Sequence, residues 1–214
     1  ARKALDISRI LDRDDEIDAI IDVMSPIYLD ILKKEGLSAA ELVGTAFDET
    51  EERMLKALDK SIELMSRKYT DETLTVLKDR LEEGLEEGEG IAVLTEHVRE
   101  IGAWSETVRA ERVARTEAFR TANFATKEAW KQSKVVKSIK WYTAEDERVC
   151  AFCGEMEGKI VGIEENFMNK GDTLDATDSE GHEVQMTVDY ANVEAGSLHP
   201  NCRCYVRPET IEIG

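Results

Sequence analysis

The chain has 214 residues, of which 35% are charged, and its formal net charge is −18. A chain of this length can bury a hydrophobic core as one large domain or two small ones. So large an acidic excess repels nucleic acid at long range, which excludes a protein that coats DNA and leaves only a local basic face for such contact.

The sequence contains no apolar run of about 18 residues, the length needed to span a bilayer. Its amino terminus has no apolar segment followed by a small-residue cleavage site, so we expect no signal peptide. The first residue is alanine, not methionine, which suggests a fragment or a processed chain. Without an export signal, four cysteines indicate a reducing, cytosolic setting, where paired thiols more often bind metal than form disulfides.

Residues 1–104 are predicted to form a helical region. Apolar residues recur at three- and four-residue spacing in "IDAIIDVMSPIYLDILKK" and in "MLKALDKSIELMSRK", the pattern of core-facing helices. We expect Pro26 to kink or end the first helix. Gly36 is typical of the residue that follows a helix, and Ser38 and Thr70 are typical of N-caps that begin the next ones.

A long helix is predicted over residues 105–133, because this segment contains neither glycine nor proline. Basic residues outnumber acidic ones between Arg99 and Lys140, which is the only basic stretch of the chain. Candidates for contact with DNA or an acidic partner are therefore Arg109, Arg112, Arg120, Lys127 and Lys131. The alternative, which is more common, is that these basic side chains lie on a solvent-exposed helix face and offset the negative charge of neighbouring acidic residues.

Residues 135–214 are β-rich. The segments "VVKSIKWYTA" and "GKIVGI" predict strands, "TLDATDSEGHEVQMTVDY" predicts a hairpin, and "YVRPETIEIG" predicts a closing strand and tail. The fold class is therefore α+β, a mostly helical amino-terminal region whose long helix leads into a small β-rich module. Apolar residues are few in the acidic segment 164–196, so the module needs a further source of stability.

The four cysteines can supply that stability through a metal ion. Cys150 and Cys153 form a C-x-x-C knuckle, and a return segment offers His199, Cys202 and Cys204. Five donors compete for the four tetrahedral positions that zinc prefers. We expect a structural zinc ion bound by Cys150, Cys153 and Cys202, with either Cys204 or His199 as the fourth ligand. Two disulfides, or buried thiols without metal, are the alternatives.

No catalytic residue is predicted, and we expect a protein that is not an enzyme. A catalytic zinc site needs an open position and a nearby general base, and the H-E-x-x-H pattern is missing from the sequence. A thioredoxin-like role places the C-x-x-C motif at the strand-to-helix turn of a βαβ unit, a pattern that does not surround these cysteines. Phosphate-binding loops and nucleophile elbows are also missing from the sequence.

Three segments in chain order resemble one family: "AERVARTEAFRTANFATKEAW", "KWYTAEDERVCAFCGEMEGKIV" and "HPNCRCYV". They are similar to the phage Mu F-like minor head proteins, which carry the head-morphogenesis domain of tailed phages. The resemblance covers the chain from about Ser105 to its end and implies a domain over residues 105–214. Beside the cysteines of the return segment, the motif residues it implies are Arg115, Thr116, Glu117, Trp141, Thr143, Asp146, Arg148, Gly158 and Arg203.

The resemblance implies a structural virion protein, assembled in the host cytoplasm and present in several copies in the head interior or at the portal vertex. Its expected partners are the portal protein, other head proteins and, through a part in genome delivery, phage DNA. The alternative function is a DNA-contacting module that uses the basic segment 99–140. We also expect Asp146 and Arg148 to pair with Arg115 or Glu117, which would clamp the long helix to the knuckle.

Overall fold

The computed structural model describes residues 13–87, 96, 110–144 and 146–211. In this part of the chain the long helices come first: α1 Arg13–Leu42, α2 Glu52–Glu86 and α3 Ala110–Ser133. There follow β1 Val136–Tyr142, α4 Ala151–Met156, β2 Ile160–Gly162, β3 Thr173–Thr177, β4 Glu183–Thr187 and β5 Tyr205–Ile211. The predicted α+β class is confirmed. The long helix ends at the predicted residue, and its predicted start, 105–109, lies outside the described residues.

Pro26 does not end α1, which continues from Arg13 to Leu42. Proline removes one backbone donor and its ring crowds the preceding turn. The residues that follow it are nevertheless held in place by burial, since Tyr28 and Leu32 are each 1% exposed. Tertiary packing therefore maintains the helix across a residue of poor helix propensity.

The turn signals at Gly36, Ser38 and Thr70 also lie inside helices, so the helix boundaries predicted there are wrong. Gly36 is a packing residue, because a Cβ at this position would lie 2.2 Å from the ring of Phe47. Thr70 is 4% exposed within α2. Close approach explains Gly36 and burial explains Thr70, where the sequence pattern indicated helix boundaries.

β1 is the central strand of a three-stranded antiparallel sheet with the order β2-β1-β5. Lys140 of β1 lies opposite Ile160 on one side and opposite Arg207 on the other. β3 and β4 form a separate antiparallel hairpin in which Ala176 lies opposite Val184. The predicted hairpin and closing strand are confirmed.

A hydrophobic core brings together residues of α1, α3, the sheet and the cysteine-bearing segments. Trp130, Ile139 and Trp141 belong to it and are at most 1% exposed. The Trp130 indole donates a hydrogen bond to the carbonyl of Ala39 at 2.9 Å, so its polar group is satisfied. Phe167 packs edge-on against Trp141 with ring centroids 5.1 Å apart. This contact brings the acidic segment onto the same core.

The chain divides into two compact units. The first comprises the described residues of Ala1–Ile27 and Glu52–Arg112, and the second those of Tyr28–Glu51 and Val113–Gly214. The second unit therefore contains the carboxyl-terminal half of α1, nearly all of α3 and all the described strands. Within the described residues, no helix combines the length and apolarity that crossing a membrane requires.

Candidate metal centre

The C-x-x-C knuckle begins the short helix α4. Cys150 is the N-cap residue, and its Sγ accepts a hydrogen bond from the backbone N–H of Cys153 at 3.4 Å. Cys153 lies in the first turn and is 3% exposed. The helix start therefore fixes the spacing of the two sulfurs, with one of them buried beside the core.

The return segment places its donors against this knuckle. His199 Nε2 lies 3.1 Å from Cys150 Sγ and 3.1 Å from Cys153 Sγ. Cys202 Sγ lies 3.6 Å from Cys153 Sγ, and Cys204 belongs to the same cluster. The structure thus brings together all five predicted donors, although Cys150 and His199 are 49 residues apart in the sequence.

The geometry of the five donors can hold a metal ion. The ligand atoms of Cys150, Cys153 and His199 lie within 4.8 Å of one another, and so do those of Cys153, Cys202 and Cys204. All five residues line one cavity of about 20 Å³, room for a single water-sized occupant. The four thiols are free of disulfide bonds. A tetrahedral zinc ion bound by thiolates at about 2.3 Å would place neighbouring sulfurs about 3.8 Å apart, close to the sulfur separation observed.

Hydrogen bonds within the cluster lower the pKa of two of its thiols, which favours the thiolate form that binds metal. The pKa of Cys150 is lowered to about 4, first by its hydrogen bond with Cys153 and then by its hydrogen bond with His199. Hydrogen bonds with Cys153 and Cys204 likewise lower the pKa of Cys202. The pKa of His199 is raised to about 9 by its hydrogen bond with Cys150. Hydrogen bonds with Cys150 and Cys202 raise the pKa of Cys153. At neutral pH the cluster therefore pairs thiolate with imidazolium and keeps Cys153 as a thiol, and metal binding would release the protons of His199 and Cys153.

A neighbouring carbonyl orients His199. Its Nδ1 lies 2.7 Å from the carbonyl oxygen of Pro200, and a carbonyl can only accept from a protonated nitrogen. In the neutral ring this leaves the lone pair on Nε2, the atom that faces both knuckle sulfurs. The arrangement is the usual one for a metal-binding histidine, whose second nitrogen donates to a fixed oxygen.

An ion pair ties the two halves of the cluster together. Arg203, which lies between the two cysteines of the return segment, donates to both carboxylate oxygens of Asp146 at 2.5 and 2.6 Å. These bonds hold the pKa of Asp146 well below its usual range. Arg148 donates to the same carboxylate at 3.1 Å. The predicted clamp from this carboxylate to Arg115 or Glu117 on α3 is wrong, because the bidentate partner comes from the return segment.

α3 instead holds the return segment through hydrogen bonds between its own side chains and the backbone of that segment. Thr116 Oγ1 accepts from the N–H of Asn201 at 2.9 Å, and Asn123 Nδ2 donates to the carbonyl of Cys204 at 3.2 Å. Asn201 has a φ of 61°, a conformation that asparagine tolerates. Asn123 was missed in the sequence, although it lies seven residues after Thr116 and therefore on the same helix face. One face of α3 thus positions the ligand-bearing loop.

Glu117 lies in the interior of the second unit. It is 5% exposed and accepts hydrogen bonds from Tyr28 at 3.0 Å and from Arg120 at 2.6 Å. Burial raises its pKa. The guanidinium of Arg120 also lies 4.4 Å from the ring centroid of Tyr190. Tyr28, which no sequence pattern singled out, therefore links α1 to α3 through a motif residue.

Lys127 is buried and does not present its charge to a partner. It is 1% exposed, and its Nζ donates to the main-chain carbonyls of Glu165 at 2.6 Å and Glu194 at 2.8 Å. Burial lowers its pKa to about 8. The surface-contact role predicted for Lys127 is therefore wrong, because the helix turns this side chain toward the core.

The other predicted contact residues differ in exposure. The side chain of Lys131 is 12% exposed and pairs with Glu128 at 2.8 Å. Arg112 is exposed near the start of α3, and Arg109 lies outside the described residues. The basic segment therefore does not form a continuous cationic surface along the described part of α3.

The remaining motif residues shape the turns around the knuckle. The N–H of Thr143 donates to Glu157 Oε2 at 2.6 Å. Gly158 has a φ of 76°, which glycine adopts without strain, and its N–H donates to the carbonyl of Trp141 at 3.0 Å. Arg115 is exposed on α3. The hydrogen bonds of Thr143 and Gly158 therefore join the segment before α4 to the segment after it, between β1 and β2.

Comparison with known families agrees with this arrangement. The family model described as phage Mu protein F like protein matches residues 75–207. The matched range is more than half of the chain, begins within α2 and includes α3, the knuckle and the return segment. No curated protein and no solved structure matches the chain.

Proposed function

The chain belongs to the phage Mu protein F-like family, and from this we propose that it is a structural minor head protein of a tailed phage. It acts in head morphogenesis, in the head interior or at the portal vertex, with several copies in each virion. Its partners are the portal protein or other head proteins, and it takes part in genome delivery. Assembly takes place in the host cytoplasm.

A structural role is supported by the contacts of the family motif residues, which are made with other parts of their own unit. Thr116 and Arg203 position the return segment, and Glu117 is buried between α1 and α3. These contacts are made within the second unit and hold its parts together. The five donors can supply every position of a metal ion, whereas a catalytic zinc ion keeps one position open. We therefore propose a rigid assembly part without an enzymatic role.

Zinc is the metal that suits this donor set best. Thiolate and imidazole ligands in a compact cluster favour a tetrahedral zinc ion in a reduced compartment. We propose Cys150, Cys153, Cys202 and His199 as its ligands. The support for His199 over Cys204 is the hydrogen bond from Nδ1 to Pro200, which leaves Nε2 free to bind metal at the knuckle sulfurs.

The choice of fourth ligand can be tested by metal analysis of two variants purified under reducing conditions. We expect His199→Ala to lower bound zinc well below the wild-type level of about one ion per chain, and Cys204→Ser to leave that level unchanged. The reverse result would assign the fourth position to Cys204. Near-ultraviolet circular dichroism of both variants checks that they are folded.

The assembly role is tested by producing the chain together with the portal and scaffold of its own phage. We expect it to copurify with procapsids that contain the portal. Replacing Cys150 and Cys153 with serine should reduce its incorporation, whereas Lys170→Gln, at an exposed position remote in sequence from the knuckle, should not. A chain that never enters procapsids would contradict the proposal.

DNA contact through the basic segment 99–140 is the weaker proposal. Three of its five named cations, Arg120, Lys127 and Lys131, are buried or paired within the second unit. The exposed Arg112 and the segment upstream of it remain the candidates for such a contact. Loss of duplex DNA retardation on replacing Arg112 with glutamate would support this role, and no retardation at low salt would remove it.

A further inference from the structure

Two tyrosines and two cations share the outer face of the three-stranded sheet. Tyr142 and Tyr205 lie opposite each other on β1 and β5, with ring centroids 5.6 Å apart and planes inclined by 13°. Lys140 and Arg207 form the next opposite pair on the same face. Ile160 of β2 extends this row and is 52% exposed. We call these five residues the tyrosine–cation face.

Within the described residues, no carboxylate neutralises the two cations of this face. Like charges directly opposite each other destabilise a sheet, and among the described residues neither Lys140 nor Arg207 forms an ion pair with a carboxylate. Their charged groups lie beside the rings instead, with Lys140 Nζ 5.6 Å from the Tyr142 centroid and Arg207 Cζ 5.4 Å from the Tyr205 centroid. On a chain of net charge −18, two adjacent unpaired cations favour an anionic ligand from outside.

We propose that the tyrosine–cation face binds single-stranded nucleic acid. Lys140 and Arg207 contact its phosphates, and unstacked bases lie against the tyrosines, chiefly Tyr205, which is 36% exposed. Sheets that present aromatic rings among basic side chains bind single strands in this way, because every base has a face that can stack. A duplex keeps its base faces covered and offers this surface only its phosphates.

The negative net charge does not prevent local binding. At an ionic strength of 0.1 M, exposed charges separated by more than about 10 Å are largely screened from each other. Carboxylates that lie farther than this from the face then contribute little to the free energy of a contact on this sheet. Binding is therefore expected to depend on the two cations and the two rings of the face.

The test measures binding of a short fluorescent single strand to the full chain by anisotropy over a series of salt concentrations. Two phosphate contacts predict a slope of log K against log salt of about −1.4. Tyr205→Ala should weaken binding about tenfold through the loss of one stacked base, and Tyr205→Phe should retain it. The double replacement of Lys140 and Arg207 with glutamine should bring the slope close to zero.

The controls separate base contact from simple charge attraction. Lys170→Gln removes an exposed cation elsewhere and should leave binding unchanged. An abasic strand of equal length and a duplex of the same sequence should each bind about tenfold more weakly than the single strand. Thermal unfolding of each variant checks the fold. The proposal is overturned if the single strand does not bind, if the abasic strand or the duplex binds equally well, or if Tyr205→Ala has no effect.

Discussion

The ammonium group of Lys127 holds both ends of the acidic segment 164–196 against α3. It donates to the carbonyls of Glu165 and Glu194, which lie on either side of the hairpin formed by β3 and β4. With a pKa lowered to about 8, the group remains mostly charged at neutral pH. Because buried carbonyls need donors, a neutral side chain of similar length cannot replace it.

We expect Lys127→Met to lower the free energy of unfolding by about 1–3 kcal/mol, because it leaves two carbonyls without their donor. The loss is limited because the variant no longer buries an ammonium group. Lys170→Met, at an exposed position, should change stability by less than about 0.5 kcal/mol. Urea denaturation measures both variants, and equal effects would contradict the role assigned to Lys127.

The ion pair between Asp146 and Arg203 predicts a pH dependence of stability. The pKa of Asp146 is depressed by the guanidinium hydrogen bonds, so the folded protein takes up this proton less readily than the unfolded chain. The stabilisation is therefore present above the ordinary aspartate pKa of about 3.9 and is lost as the pH falls below it. The difference in unfolding free energy between wild type and Asp146→Asn should shrink from pH 7 to pH 2. A difference that is constant or grows on acidification would contradict the pairing.

At the scale of elements, α3 is the support on which the cysteine cluster is built. Thr116 and Asn123 bond the backbone of the return segment, and Trp130 packs into the core beneath it. Gly196 permits this contact, because a Cβ there would lie 2.4 Å from the carbonyl oxygen of Cys204 and 2.7 Å from Asn123 Oδ1. The return segment therefore needs a glycine where it passes α3.

Gly196→Ala should lower the free energy of unfolding by about 1–3 kcal/mol, since the added methyl group forces the return segment away from α3. It should also lower the amount of bound zinc. Gly154→Ala is the matched control, because a Cβ at this helical position meets nothing within 4 Å and should raise stability by at most about 1 kcal/mol. Denaturant unfolding and metal analysis compare the two, and similar losses in both variants would contradict the role assigned to Gly196.

The elements were largely predictable because their signals are local. Alternating residues predicted β3 and β4, and a segment free of glycine and proline predicted α3 to its last residue. The wrong predictions were helix boundaries, placed at residues that are common at helix ends but that serve here in packing. Gly36 and Thr70 have the composition of helix boundaries but lie inside helices, because Phe47 needs the space at the first and burial surrounds the second. A local sequence pattern gives no information about contacts with residues that are distant in the chain.

For the molecule as a whole, the cluster of five side chains that could hold a metal ion was predictable from two short spacings, whereas the contacts that support this cluster were not. Arg203 lies 57 residues from its partner Asp146, and Lys127 lies 38 and 67 residues from its two carbonyls. Three of the five basic residues that indicated a nucleic-acid contact on α3, Arg120, Lys127 and Lys131, are instead buried or paired inside the second unit. Two cations without an ion pair to any described carboxylate lie instead on the sheet, where two strands distant in sequence place Lys140 opposite Arg207.

We propose that one metal ion, bound by the cysteines and His199, stabilises the carboxyl-terminal module of this phage Mu F-like protein. Native mass spectrometry of the chain purified under reducing conditions tests it most directly, together with mass measurement of the denatured chain. We expect about one zinc ion per folded chain and a denatured mass with all four thiols reduced. A metal-free folded chain whose denatured mass is lower by four hydrogens, the signature of two disulfides, would contradict it.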